Sequence, residues 1–187
     1  MSFRLNLLLL ATMSLAPLAQ AGDAGPSLDD KVAAIVQKGQ PALEALAKNK
    51  DVVADVLARN QLLLTDEQAK SMQSRWLAPG VAGAELKPYL ENKSTAAFHA
   101  ASLKTAILTK VFSLDKAGNV VATVPKSHDF VHGFEPKFLE CFKSGQTKVN
   151  KPALDLTSKT YSVQISVPIQ DGEGTTVGVL VGTFAIK

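Results

Sequence analysis

The stretch ILTKVFSLDKAGNVVATV, running from Ile107 to Val124, decides the fold. Ile107 to Leu114 carries apolar and β-branched residues with a period near two, which predicts a strand. Asp115-Lys116-Ala117-Gly118-Asn119 has the chemistry of a reversing turn, because aspartate and asparagine bond their own backbone and glycine takes a positive φ. Val120 to Val124 then predicts a second strand returning along the first, so the pair reads as a hairpin. Downstream, Pro125 ends the second strand and Lys126 to Phe134 forms a loop rich in aromatic and ionisable residues, leading into a short helix from about Glu135 to Lys143. A strand near Val149 to Leu154 is expected to be short or at an edge, because Pro152 has no N–H for a ladder. Tyr161, Val163, Ile165 and Val167 alternate with Ser162, Gln164 and Ser166, the plainest strand in the chain. Val177 to Ile186 is its expected partner, joined through Asp171-Gly172-Glu173-Gly174.

Upstream the period changes. From about Leu28 to Leu103 the chain is rich in Ala, Leu and Lys, with apolar residues at helical spacing: Val32, Ile35 and Val36, then Leu43 and Leu46, then Val52, Val53, Val56 and Leu57. Pro41 and the polar Asn49-Lys50-Asp51 are expected to divide this half, with Asp51 as an N-cap. Thr65-Asp66-Glu67-Gln68 has the form of a capping box opening a helix that carries Ala69, Met72 and Trp76 and stops before Pro79-Gly80. One further helix is expected from near Ala84, tolerating Pro88 in its first turn and turning Leu86, Leu90, Ala97, Phe98 and Ala101 inward. Helices followed by about five mostly antiparallel strands predict an α+β sandwich, the sheet backed on one face by a long helix. There is no βαβ alternation, which disfavours doubly wound and barrel folds.

The first residues read as an export signal: Arg4 as the positive region, Leu5 to Leu18 as a short apolar stretch interrupted by Asn6 and Pro17, and Ala19-Gln20-Ala21 as a small-x-small cleavage site. Cleavage before Gly22 takes 21 residues from 187 and leaves 166, enough for one sizeable core. The expected division is a signal peptide over 1–21, a helical region over 22–102 and a sheet over 103–187, the last two forming one folded unit. A soluble periplasmic location is the expectation. Without Arg4 the chain has 19 basic and 17 acidic residues, a net of +2 in interspersed positions, so no nucleic-acid partner is indicated. With one cysteine, Cys141, no internal disulfide is available, and that residue reads as a buried small hydrophobe near Leu139 and Phe142.

Four stretches in order carry a resemblance. They are Val111-Phe112-Ser113-Leu114-Asp115 with Gly118-Asn119-Val120-Val121-Ala122; Ser127-His128-Asp129-Phe130 with Gly133, Glu135 and Lys137-Phe138; Val163-Gln164-Ile165-Ser166-Val167-Pro168; and Val177-Gly178-Val179-Leu180. Together they resemble a single Cache domain, a PAS-like extracytoplasmic sensor domain of bacterial kinases and chemoreceptors, in an exported stand-alone form. Leu57-Ala58-Arg59-Asn60-Gln61 and Ser74-Arg75-Trp76 resemble the helical lead-in of that group. The resemblance implies a five-stranded antiparallel PAS-like sheet, a long N-terminal helix along it, and a pocket between the sheet and the loops of its middle strands for a small carboxylate, amino acid or other metabolite. One departure stands out: an aromatic-aromatic-Gln-Gly-Asp run is common after the loop aspartate, and here it reads Phe130-Val131-His132-Gly133-Phe134, which makes that wall more apolar.

The expected ligand-binding set is Phe112, Lys126, His128, Asp129, Phe130, His132, Gln164 and Ser166. Charged groups and a ring within one short loop are what an orienting, mainly apolar cleft requires; the alternative is a solvated loop in which Asp129 caps a turn. Lys126 and Lys137 could each pair with a carboxylate, whereas Gly178 and Gly182 read as sites of close helix packing. His128, Asp129, His132 and Glu135 raise a metal site, but Gly133 and Pro136 oppose the helix on which the histidines would share a face. No cofactor is expected. Ser127-His128-Asp129 are consecutive, a spacing that seldom yields a catalytic relay, so the chain does not read as an enzyme. The expectation is a small-molecule sensor that reports to a separate, membrane-bound signalling partner, since the chain carries neither a spanning helix nor an output module. The alternative is an assembly module that dimerises through its N-terminal helices from Leu28 to Leu57.

Overall fold

The computed structural model describes residues 25–62, 64–78, 83–155 and 159–187, so the expected signal peptide and cleavage site lie outside the described residues. Six strands form one antiparallel sheet: β1 (Leu108–Leu114), β2 (Val120–Val124), β3 (Lys148–Val149), β4 (Ala153–Asp155), β5 (Thr160–Gln170) and β6 (Thr176–Ala185). The order is β2-β1-β6-β5-β3, with β4 also pairing to β5. The fifth position is thus one edge strand broken in two: β3 meets Ile165 and Ser166, and β4 meets Thr160 to Ser162. Pro152 lies in the break, where its missing N–H costs no ladder bond.

Turn chemistry closes both hairpins. Asp115 Oδ1 accepts from the amides of Ala117 and Asn119 at 2.9 Å each, and Gly118 takes φ +80°. Burial pushes the Asp115 carboxyl up, against the hydrogen bonds from Asn119 and Ala117 and the nearby charge of Arg59. Asp171 repeats the arrangement between β5 and β6, accepting from Glu173 and Thr175.

The helices are α1 (Leu28–Ala47), α2 (Lys50–Gln61), α3 (Asp66–Leu77), α4 (Lys87–Leu90), α5 (Lys93–Lys104) and α6 (Pro136–Ser144). Three expectations about them need correction. First, Pro41 does not divide the first helix; α1 runs through it for 20 residues. Pro41 is exposed, and the buried Gly39 and Leu43 on either side seat against Phe184 and Gly182. Secondly, Asn49 caps α2, its Oδ1 accepting from Asp51 N at 2.8 Å, while Asp51 sits in the first turn. Thirdly, the single helix expected from Ala84 is two, because Asn92 leaves the helical path to cap α5 through Thr95 N and to donate to the carbonyl of Val121 on β2. The capping box at Thr65 and Gln68 forms as the residues dictate.

Both faces of the sheet are covered. On one, α1, α2 and α5 bury Ile35, Leu43, Val56 and Phe98 against Val163, Ile165, Leu180 and Phe184. A Cβ on Gly182 would stand 2.7 Å from Leu43, so this glycine gives α1 its close approach. On the other face, Trp76, Tyr89, Phe130, Phe138 and Cys141 pack over Phe112, Leu114, Val179 and Val181. Helices α3 and α4 reach this face, where the candidate site lies, beside the β2 edge. Among the described residues no helix is long and apolar enough to cross a membrane.

Candidate ligand site

The loop between β2 and α6 is held from three directions. Its backbone pairs with the start of β2: Val120 N donates to Phe130 O at 2.9 Å and His132 N to Gly118 O at 2.8 Å. Gly133 and Gly118 meet backbone to backbone, leaving no room for a Cβ on either. From α3, Trp76 Nε1 donates to Ser127 O at 2.8 Å. Gln73 accepts from the amides of Phe130 and Val131 at 2.7 and 3.0 Å, and its Nε2 donates to Asp129 Oδ1 at 2.7 Å. The Phe130 ring anchors the loop, fully buried between Trp76 and Tyr89 at centroid distances of 5.5 and 5.2 Å.

This anchoring leaves a cavity of about 350 Å³ between the loop and the sheet face. Its floor is Lys110 and Phe112 of β1 with Ser162 and Gln164 of β5. One wall is Ser127, His128, Asp129 and His132 with Glu135 and Lys137 at the start of α6, and the opposite wall is the edge from Asn150 to Asp155. The volume suits a metabolite of modest size.

Several of the charges in the cavity are paired. His132 stacks on Phe112 at 4.9 Å, its Nδ1 lies 2.8 Å from Glu135 Oε1, and its Nε2 lies 3.0 Å from Asp129 O. Lys137 Nζ is 2.6 Å from the other Glu135 oxygen and 5.5 Å from the Phe112 centroid. Burial raises the Glu135 carboxyl, but the hydrogen bonds and charges of His132 and Lys137 outweigh it and hold it below the usual carboxylate range. Lys110 Nζ approaches Asp155 Oδ2 at 3.7 Å, both side chains nearly buried. Asp129 is the more open carboxylate, its Oδ2 2.9 Å from the exposed His128 ring. Such an arrangement can orient a small charged molecule by exchanging protein–protein ion pairs for protein–ligand ones. Ser127 Oγ donates to Asp129 O and not to an imidazole. Among the described residues no group of three or more His, Cys, Asp or Glu side chains is arranged to hold a metal ion.

No protein-family model and no curated protein sequence matches the chain. Among solved structures, the E. coli DcuS sensor domain superposes with a TM-score of 0.53 at 13% identity, covering 83% of this chain and 91% of that one. The chain has a Cache-type, PAS-like fold. Looser similarities extend to the ligand-binding domain of the Pseudomonas aeruginosa PAO1 amino acid chemoreceptor PctB in complex with L-Arg, with a TM-score of 0.45 at 16% identity. They extend also to the V. cholerae histidine kinase DctB sensor domain, with a TM-score of 0.41 at 16% identity. These matches cover 83% and 84% of this chain but only 51% and 58% of those chains.

Within this Cache fold, five of the eight residues expected at the site line the cavity: Phe112, His128, Asp129, His132 and Gln164. Three do not. Lys126 turns away, donating to the Trp76 carbonyl and lying 5.1 Å from the Trp76 ring centre. Phe130 is consumed by the aromatic anchor. Ser166 shares its strand face with Gln164 but is completely buried further along β5. Sequence reasoning missed Lys110, Asp155 and the Asn150-Lys151 corner, and it missed Gln73 behind the loop. Lys110 was findable, because it stands two residues before Phe112 on the same strand face; Gln73 stands one helical turn before Trp76 on α3, although nothing local marks its partner.

Proposed function

We propose that the chain is an exported sensor domain that binds a small charged metabolite, an amino acid or a small carboxylate, and reports occupancy to a separate membrane-bound partner. The observation that carries this reading is the cavity of about 350 Å³ over Phe112, lined by the open Asp129 carboxylate and by Lys110 and Lys137. Acidic and basic side chains around one cavity suit a ligand with both an anionic and a cationic end, and the Phe112 ring on the floor, stacked against His132, supplies an apolar surface beside them. Export rests on Arg4, the Leu5 to Leu18 stretch and Ala19-Gln20-Ala21. A binding role without catalysis is supported by the Ser127 hydroxyl being committed to a backbone carbonyl.

The test is a thermal-shift panel of L-amino acids and short mono- and dicarboxylates on the full chain, with native mass spectrometry for any co-purified molecule. Binding to the folded state raises stability by about 2.7 kcal/mol at a hundred times Kd. At least one probe is expected to raise Tm, and Asp129→Ala or Lys137→Met to abolish the rise. No shift across the panel, with a clean apo mass, would overturn the reading. The second reading, assembly through the N-terminal helices, draws on exposed Leu28 and Leu57; sedimentation at micromolar concentration tests it, and a monomer would exclude it.

A further inference from the structure

One side chain outside the cavity governs how the loop meets it. Gln73 projects from α3 and makes three hydrogen bonds to three consecutive loop residues, 56 to 58 positions away in sequence. Its two ends do different work. Oε1 takes the amides of Phe130 and Val131, and Nε2 donates to Asp129 Oδ1. The amide orientation follows from these partners: two N–H donors require the oxygen, and a carboxylate requires the nitrogen. With Oδ1 held by Gln73 and Oδ2 near His128, the Asp129 carboxylate is fixed at the cavity wall. A carboxylate on a free loop would cost a ligand the entropy of ordering it on binding.

We propose that Gln73 is the positioning residue of this site, acting through Asp129: its carboxamide holds the loop shut and presents the Asp129 carboxylate to a cationic group of the ligand. This rests on the ligand-binding reading above and adds the residue that sets its geometry. It also makes α3 an element of the helical half bonded directly to the site wall.

Two measurements test this role, the first the carboxamide–carboxylate contact itself and the second the step from that contact to ligand binding, which simple structural support would not produce. The first needs no ligand. Gln73→Glu keeps an oxygen for the two backbone amides but sets a second carboxylate against Asp129, and two carboxylates at that distance resist ionising together. The shared proton is bound more tightly in the folded state, so the Tm deficit of Q73E relative to the parent chain should be large at about pH 8 and shrink toward about pH 5. Gln73→Met, which carries no charge, should show the same deficit at both. The other ionisable groups facing this carboxylate, His128 beside it and Lys110, Lys137, Lys151, His132, Glu135 and Asp155 around the cavity, are common to all three proteins and cancel in the comparison. A Q73E profile parallel to that of the parent chain would overturn the proposal.

The second measurement is a double-mutant cycle on the best-binding probe of the amino acid and carboxylate panel. Q73M should weaken it about tenfold in the parent chain and less than about twofold once Asp129→Asn has removed the group it positions. Equal losses in both backgrounds would mean that Gln73 does not act through Asp129. If no probe stabilises the parent chain, the ligand reading fails and the proposed role fails with it, even where the pH series shows the carboxamide–carboxylate contact; if a probe binds and the cycle is additive, only the role of Gln73 fails.

Discussion

Glu135 and Cys141 show how a residue's neighbours set its chemistry at the site. Glu135 accepts from both His132 and Lys137, and its carboxyl is held below the ordinary range. A carboxyl lowered in this way adds stability that is present above its unfolded value and is lost as pH falls through the folded one. The parent chain should therefore exceed Glu135→Gln by on the order of 1 kcal/mol at neutral pH, with the gap closing in the acid range; urea titrations at several pH values check this, and a constant gap would contradict it. Cys141 is completely buried on the inner face of α6, and burial pushes its thiol up to about 12 against the opposing charge of Lys148. Because the thiolate is the reacting form, iodoacetamide should leave the native protein unlabelled near pH 8 and modify it fully in denaturant. The burial of Cys141 was legible from its apolar neighbours Leu139 and Phe142. The partners of the cavity lysines within the protein were not, because a lysine looks the same in sequence whether it is solvated or directed at Asp155 or Glu135.

Elements whose ends are defined by local bonds were mostly readable, although the cap of α2 is Asn49 and not the expected Asp51. The capping box at Thr65 and the turns at Asp115 and Asp171 involve residues two to four apart, so their geometry is written in consecutive positions. Elements whose ends depend on distant partners were misread. Helix α1 passes through Pro41 because Leu43 and Gly39 are pinned to β6, and the break before α5 occurs because the Asn92 amide has a carbonyl on β2 to reach. Pro41 removes a backbone donor and crowds the preceding turn. Replacing it by alanine should stabilise the protein by about 1–3 kcal/mol, the difference in helix preference less any local compensation. Chemical denaturation would read the gain, and a loss of stability would mean that the proline shapes α1 to fit the sheet.

For the whole molecule, the sheet separates two tasks. One face carries α1 and the principal aliphatic core; the other carries the aromatic anchor and the cavity. Leu43 is fully buried over Gly182 on the first face. Leu43→Ala should cost about 2–5 kcal/mol, as a cavity in a packed core does. Because the site stands on the opposite face, the affinity of the same probe should change by less than about twofold where the variant remains folded, far less than additivity would allow for coupled positions. Calorimetric titration beside a melting curve tests both, and a joint loss would show that α1 and the site communicate through β6.

By itself the sequence determined the switch from a period of 3.6 to a period of two near Leu103, the turns, the capping box and the loop that would carry ionisable groups. Each of these is a relation among residues a few positions apart, where steric and hydrogen-bonding rules act without the rest of the chain. Only the tertiary structure decided which side chains meet. Pairing β1 with β6 and β6 with β5 lays Lys110 and Gln164 on one floor, the edge strand brings Asp155 across to Lys110, and α3 brings Gln73 to Asp129. Those meetings span tens of residues and depend on sheet order and chain closure, for which no local pattern carries a signal.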